Sequence, residues 1–280
     1  MSILEPKYKP NQTFVKVIGM GGNRRIKVGT MSLVRTSGLC IESNKDPPLD
    51  FGSFEDITPA GDFKLSNNVR RAKNLIFELA ACNPWDLFFT GTLDKSKYDR
   101  TDLNKFRIDL SQWLRDIRKR KGHDIKYLFI PELHSDGISW HIHGLIRGLP
   151  DDYLKQFTIG DAMGKKLADK VMRGDIVYNW PAYVDKFGFC DLEPIRNSEA
   201  LEKYITKYIT KDLARCVSEV NSHMFYASQG LKRAELIAKG FCTFDYVPDF
   251  ECEYYKCMEI SYTEENLQLI LQHIKSDYWE

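Results

Sequence analysis

The chain has 280 residues, of which 43% are hydrophobic and 28% are charged, as is typical of a globular protein. No run approaches the roughly 18 apolar residues of a membrane span, and the N-terminal segment lacks the features of a secretory signal. We therefore expect a cytoplasmic protein with no membrane partner. The net charge of +1 excludes a strongly basic domain, so any contact with nucleic acid must come from local patches.

Cysteines and glycines exclude two further classes of site. The seven cysteines include no C-x-x-C pair, which predicts reduced structural thiols rather than a zinc or redox centre. Cys242, Cys252 and Cys257 are the alternative metal-binding group. No segment matches the phosphate-binding pattern G-x-x-x-x-G-K-[ST], so the chain has no recognisable ATP motor.

The first part of the chain predicts two helices separated by a strand. Residues 1–65 form an irregular, glycine-bearing section. The segment LSNNVRRAKNLIFELAA, residues 65–81, combines helix-forming residues with an apolar stripe. Leu87–Leu93 is rich in aromatic and threonine residues and predicts a buried strand. Asp102–Lys119 carries apolar residues at the spacing of one helical face, so we expect an amphipathic helix there.

A β-hairpin and a third helix follow. The runs IKYLFIPE and ISWHIHGLI are separated by the turn residues Ser135, Asp136 and Gly137, which is the spacing of a hairpin. Asn197–Leu213 has the acidic first turn of a capped helix.

Two histidines in the hairpin form a candidate metal site. Strand alternation places His141 and His143 on one face. Two imidazoles do not complete the shell of a divalent cation, so a third protein ligand is expected. The hairpin returns both Glu132 and His134 beside the pair, and we favour Glu132 because a carboxylate suits Mg²⁺ or Mn²⁺. Taken alone, an H-x-H pattern more often marks ordinary packing or surface histidines.

Two tyrosines on the third predicted helix form a candidate nucleophilic site. Tyr204 and Tyr208 are one turn apart and share a helix face, as do Lys207 and Lys211 on a neighbouring one. A tyrosine has a pKa near 10, so its use as a nucleophile requires nearby positive charge or a base. The two lysines can supply that charge and hold phosphate oxygens. The same pattern is compatible with a half-buried helix whose tyrosine rings simply pack.

Three motifs stand in one order within Pro84–Leu213. They are FFTGTLD at Phe88–Asp94, PELHSDGISWHIHGL at Pro131–Leu145 and YITKYITK at Tyr204–Lys211. In content, order and spacing they resemble the motifs of the His-hydrophobic-His replication initiator endonucleases of single-stranded DNA phages and rolling-circle plasmids. MFYASQGLKR, at Met224–Arg233, resembles a stretch that often follows in the phage-type members.

This resemblance implies an α+β fold in which a central antiparallel sheet is flanked by helices. The histidine pair would lie on a middle strand, and the tyrosine helix would pack across the sheet. The βαββ order read from Leu87 to Ile146 agrees with such a ferredoxin-like core. Gly91 stands where the family has a bulkier residue, and a glycine inside a strand often marks a bulge.

The resemblance also implies an activity. Tyr204 or Tyr208, assisted by Lys207 and Lys211, would attack a phosphate held by a metal on His141, His143 and Glu132. The enzyme would remain joined to the 5′ end of single-stranded origin DNA, and the free 3′ hydroxyl would prime a host polymerase. Without an ATP motor, the protein would depend on a host helicase in a bacterial cell.

The domain prediction follows the motifs. We expect an N-terminal accessory segment at 1–65, an endonuclease domain at 66–240 and a C-terminal extension at 241–280. Two other functions stay open on the sequence. One is a relaxase or single-strand transposase of the same chemistry, although the metal motif precedes the tyrosine motif here, unlike in relaxases with an N-terminal tyrosine. The other is a DNA-binding protein that recognises an origin without cutting it.

Overall fold

A computed structural model describes residues 8–35, 72–134, 136–197, 201, 204, 225–252 and 255–276. The chain divides into two compact units, one formed by Met1–Asn83 with Lys232–Glu280 and the other by Pro84–Leu231. The predicted endonuclease domain, 66–240, contains all of the second unit and two edges of the first. Within the described ranges, no helix combines the length and apolar composition needed to cross a membrane.

The described strands of the first unit form one antiparallel sheet. They are β1 (Tyr8–Ile18), β2 (Arg25–Arg35), β10 (Glu235–Cys242), β11 (Phe250–Cys252), β12 (Tyr255–Ser261) and β13 (Ile274–Lys275), in the order β11-β12-β2-β1-β10-β13. The prediction of an irregular section over residues 1–65 is therefore wrong for β1 and β2. Both strands alternate buried and partly exposed positions, a pattern that the glycines between them conceal from a reading of the sequence.

Two helices belong to this first unit. Residues 72–81 are helical (α1), which confirms the described part of the helix predicted over 65–81. The other helix is α5 (Glu264–Leu271), capped by the Thr263 side chain, which accepts a hydrogen bond from the Asn266 N–H. Leu267 and Ile270 of α5 pack in a core cluster with Val15 and Val28 of the sheet.

The second unit contains the sheet that the motifs predicted. Its described strands are β3 (Leu87–Thr92), β4 (Lys126–Leu133), β5 (Trp140–Arg147), β6 (Lys155–Gln156), β7 (Tyr178–Asn179), β8 (Cys190–Pro194) and β9 (Tyr226–Ala227). Their order is β6-β7-β8-β3-β5-β4-β9, and every pairing is antiparallel. The α+β fold class with a central antiparallel sheet is confirmed.

Three described helices accompany this sheet: α2 (Leu103–Lys121), α3 (Lys165–Met172) and α4 (Pro181–Lys186). The helix predicted at Asp102–Lys119 is confirmed as α2. The Asp102 side chain caps it by accepting a hydrogen bond from the Lys105 N–H, and Gly122 ends it in the left-handed conformation. Phe106, Leu110 and Leu114 form its buried face.

The core of the second unit lies on one face of the sheet. Its fully buried members include Phe89 of β3, Ile142 of β5 and Leu192 of β8, together with Tyr183 of α4. Because side chains alternate along a strand, the neighbours of these residues point to the opposite face. That opposite face carries the candidate site described below.

Gly91 does not mark a bulge in β3. The pairing of β3 with β5 runs without a shift from Leu87 to Thr92, so the bulge interpretation is wrong. A Cβ atom at Gly91 would lie 2.5 Å from the Tyr183 hydroxyl and 2.7 Å from the Phe89 ring. The absence of a side chain is therefore what allows these two buried rings to pack against the strand.

We predict that Gly91→Ala destabilises the protein by about 1–3 kcal/mol, because the added methyl overpacks a closed core. The matched control is Gly164→Ala, since a Cβ at Gly164 has no atom within 4 Å. Equilibrium urea unfolding measures both variants. Equal free energies of unfolding for Gly91→Ala and Gly164→Ala would contradict this account of the core.

Candidate active site

Three side chains on adjacent strands form a cluster of metal-binding groups. The register of β4 and β5 pairs Glu132 with His141, and strand alternation brings His143 to the same face. The Glu132 Oε2 atom lies 2.7 Å from the His143 Nε2 and 3.3 Å from the His141 Nε2. One ligand atom from each residue lies within 4.8 Å of the others. The hairpin and the convergence of these residues agree with the prediction from the sequence.

The cluster is partly shielded from solvent. The side chain of His143 is 8% exposed, that of Glu132 15% and that of His141 18%. Contacts with the imidazoles of His141 and His143 hold the pKa of Glu132 well below its usual range. Glu132 is therefore ionised at neutral pH, and it supplies a full negative charge to the cluster.

These residues fit a divalent cation. The His141 Nε2 is buried and has no hydrogen-bond partner of good geometry among the described residues, although it faces the carboxylate. A buried nitrogen without such a partner is costly in the protein alone, and a metal ion would satisfy it. Two imidazoles and one carboxylate leave coordination positions open for substrate oxygens.

His134 lies beside this cluster without joining it. Its ring centroid is 4.9 Å from that of His141, and its side chain is exposed. Among the described residues, the group able to hold a metal contains Glu132 and not His134. This arrangement supports Glu132 as the third ligand, and the choice between the two residues stays a prediction.

Thr90 contacts the histidine pair from the other side. It pairs with His143 across β3 and β5, and its Oγ1 atom lies 3.4 Å from the His143 Nδ1. This contact orients the ring so that Nε2 faces Glu132. Partners of this kind keep a metal-binding histidine in one orientation. The sequence analysis read Thr90 only as part of a strand.

Tyr204 reaches the same face of the sheet. Its ring stacks on Phe88 with centroids 4.2 Å apart. Its hydroxyl donates a hydrogen bond to the Phe89 carbonyl at 3.1 Å and accepts one from the Gly144 N–H at 3.0 Å. Because Gly144 follows His143 directly, the Tyr204 oxygen lies one residue along the strand from the metal-binding cluster.

Leu201 and Tyr204 are helical, as predicted for Asn197–Leu213. Three of the predicted catalytic residues, Lys207, Tyr208 and Lys211, lie outside the described residues. Their roles stay predictions.

Sequence reasoning missed the contribution of β8. Thr90 pairs with Asp191 on this strand, so Asp191 shares the face of Thr90 and His143. The next residue on that face, Glu193, forms an ion pair with Lys170 of α3 at 2.6 Å. The signal was the alternation in Cys-Asp-Leu-Glu, where Cys190 and Leu192 enter the core and the two acids face away from it.

The segment that builds this site also matches a known family. Residues 86–213 match the model of the replication-associated proteins of the ORF2 type. The matched segment contains the metal-binding cluster, Thr90, Asp191 and both tyrosines. The match supports a role as a replication initiator of the Rep type. No curated protein and no solved structure shows a significant match to the chain.

We predict that Glu132→Gln weakens Mn²⁺ binding more than about tenfold, because the amide removes the charged ligand of the cluster. His134→Ala, the control on the same strand, should retain the affinity of the original protein. Isothermal titration calorimetry with Mn²⁺ compares the two variants. If Glu132→Gln binds Mn²⁺ normally and His134→Ala does not, His134 is the third ligand.

Proposed function

We propose that this protein is a metal-dependent endonuclease that nicks single-stranded origin DNA through a tyrosine and so initiates rolling-circle replication. The observation that supports this proposal best is the presence of a candidate nucleophile and a metal-binding cluster on one sheet face. Tyr204 is hydrogen-bonded to the backbone beside His143, and His143 contacts Glu132. The match to replication-associated proteins supports DNA as the substrate.

The cluster would hold the scissile phosphate. Glu132, His141 and His143 would bind one Mg²⁺ or Mn²⁺, which supplies positive charge that polarises a phosphate oxygen. Thr90 keeps the His143 ring oriented toward that position. The shielding of these side chains strengthens the electrostatic interaction with a bound phosphate, because few water molecules compete for it.

A tyrosine oxygen would attack the phosphorus, and the bond to the 3′ oxygen would break. The products are a 5′-phosphotyrosine and a free 3′ hydroxyl that a host polymerase can extend. Lys207 and Lys211 would stabilise the phenolate and hold phosphate oxygens. Because the phosphotyrosine bond conserves the energy of the phosphodiester, the same site can later rejoin the ends.

The two tyrosines would serve successive transfers. One cleaves at initiation, and the other cleaves again after one round, which releases a closed circle. The Tyr204 proton is hydrogen-bonded to the Phe89 carbonyl, and this interaction favours the neutral phenol over the nucleophilic phenolate. Tyr204 must therefore lose this bond before it attacks, and we propose that Tyr208 makes the first nick. A host helicase would open the duplex.

We predict that Tyr208→Phe slows the first nick more than Tyr204→Phe does, because the Tyr204 hydroxyl is held by the backbone. The measurement is single-turnover adduct formation with Mn²⁺ and a single-stranded oligonucleotide that carries the origin. The origin is found by tiling the replicon that encodes the protein. The double variant should form no adduct.

Tyr98→Phe is the control, because its hydroxyl bonds Asp109 on α2 and lies away from the site face. It should nick at the rate of the original protein. Persistent adduct in the double tyrosine variant would refute tyrosine catalysis by this pair. A greater slowing of the first nick in Tyr204→Phe than in Tyr208→Phe would reverse the proposed order and leave the chemistry intact.

A further inference from the structure

Asp191 is a buried carboxyl group that the proposed reaction does not yet use. It lies between Cys190 and Leu192, whose side chains enter the core, so its own side chain points to the site face. It pairs directly with Thr90, and Thr90 pairs on its other side with His143. Thr90 therefore lies between Asp191 and the metal-binding cluster.

The position of Asp191 suits contact with a bound DNA strand. Neighbouring strands are about 4.8 Å apart, so the backbones of Asp191 and His143 are separated by two such spacings, about 10 Å. A phosphodiester held by the cluster would extend across Thr90, with the metal ligands on one side and Asp191 on the other. The Tyr204 hydroxyl borders the same area at Phe89 and Gly144.

The surroundings of Asp191 favour its protonated form. Burial and the nearby Glu193 raise its pKa to about 6, and Lys170 opposes this rise. Glu193 is on the same strand, and Lys170 comes from α3, where it pairs with Glu193. The facing residue of β3 is Thr90, which does not titrate. A carboxyl group with a pKa near neutrality can both donate and accept a proton under physiological conditions.

We propose that Asp191 is a catalytic residue that carries the proton of the 3′ oxygen, as the acid in nicking and as the base in rejoining. This proposal rests on the proposed endonuclease function and assigns the group that protonates its leaving oxygen.

The proton balance is as follows for the nick. The tyrosine hydroxyl loses its proton to solvent, and its oxygen forms the new bond to phosphorus. As the bond from phosphorus to the 3′ oxygen breaks, that oxygen takes the proton of the Asp191 carboxyl. The resulting carboxylate regains a proton from solvent. In rejoining, the Asp191 carboxylate removes the proton from the attacking 3′ hydroxyl, and the tyrosine oxygen leaves.

The first test replaces the acid with an amide of the same shape. Asp191→Asn should slow adduct formation on an ordinary origin oligonucleotide by about 100-fold or more, which is the usual contribution of a positioned proton donor. The fold should survive, because asparagine resembles the neutral carboxyl that burial favours. Calorimetry should show unchanged Mn²⁺ affinity, since Asp191 lies outside the ligand cluster. Lost Mn²⁺ binding would overturn the proposal.

The second test removes the need for the proton. An oligonucleotide with a bridging 3′ sulfur at the scissile phosphate releases a thiolate, which leaves without protonation. The Asp191→Asn variant should therefore cleave this substrate at close to the rate of the original protein. An equal slowing on the oxygen and sulfur substrates would overturn the proposal, because it would mean that Asp191 does not act on the leaving atom.

The pH dependence provides a third readout. The rate ratio of the original protein to Asp191→Asn should fall as the pH rises through about 6, because only the original protein has an acid form to lose. The ratio cancels the contributions of tyrosine ionisation and metal binding, which both proteins share. A ratio that does not change with pH would contradict the assignment.

Glu193→Gln is the matched control, since it removes the other carboxyl from the same face of β8. Any change that it causes should be equal for the oxygen and sulfur substrates. Failure of the original protein to form an adduct with either substrate would refute the endonuclease function itself. Normal nicking of the oxygen substrate by Asp191→Asn would refute only the role of Asp191.

Discussion

The antiparallel register between β4 and β5 determines where the donor atoms of the candidate site lie. It places Glu132 opposite His141, and the two-residue period of a strand then brings His143 to the same carboxylate. A shift of this register by one residue would turn the histidines into the core and Ile142 out of it. Because Ile142 is completely buried, the core resists that shift. The apolar face of the sheet thus holds the polar face in place.

The packing beneath the sheet makes the site floor stiff. Tyr183 and Phe89 close against Gly91 with no room for a methyl group, and Ile142 lies in the same cluster. Side chains on the opposite face, including Thr90 and His143, are therefore attached to strands that cannot easily move. A rigid support of this kind suits phosphoryl transfer, which depends on the positions of the reacting groups.

The sequence predicted those parts of the structure that depend on local periodicity. The hairpin, the helix α2 and the convergence of His141, His143 and Glu132 follow from alternation and spacing over short segments. The strands β1 and β2 were missed because their partners, β10 and β12, are far away in the chain. Asp191 was missed for the same reason, since its place beside Thr90 arises from a pairing across about a hundred residues. Gly91 was misread because the ring that fills its space belongs to α4.

Peptide mapping of a covalent DNA adduct tests the central claim most directly. The protein is incubated with Mn²⁺ and single-stranded origin DNA, digested with protease and nuclease, and analysed by mass spectrometry. The account predicts a nucleotide linked through its 5′ phosphate to the peptide that contains Tyr204 and Tyr208, and no linkage after Glu132, His141 and His143 are all replaced by alanine. A nucleotide on any other residue, or an adduct that forms without these three side chains, would contradict it.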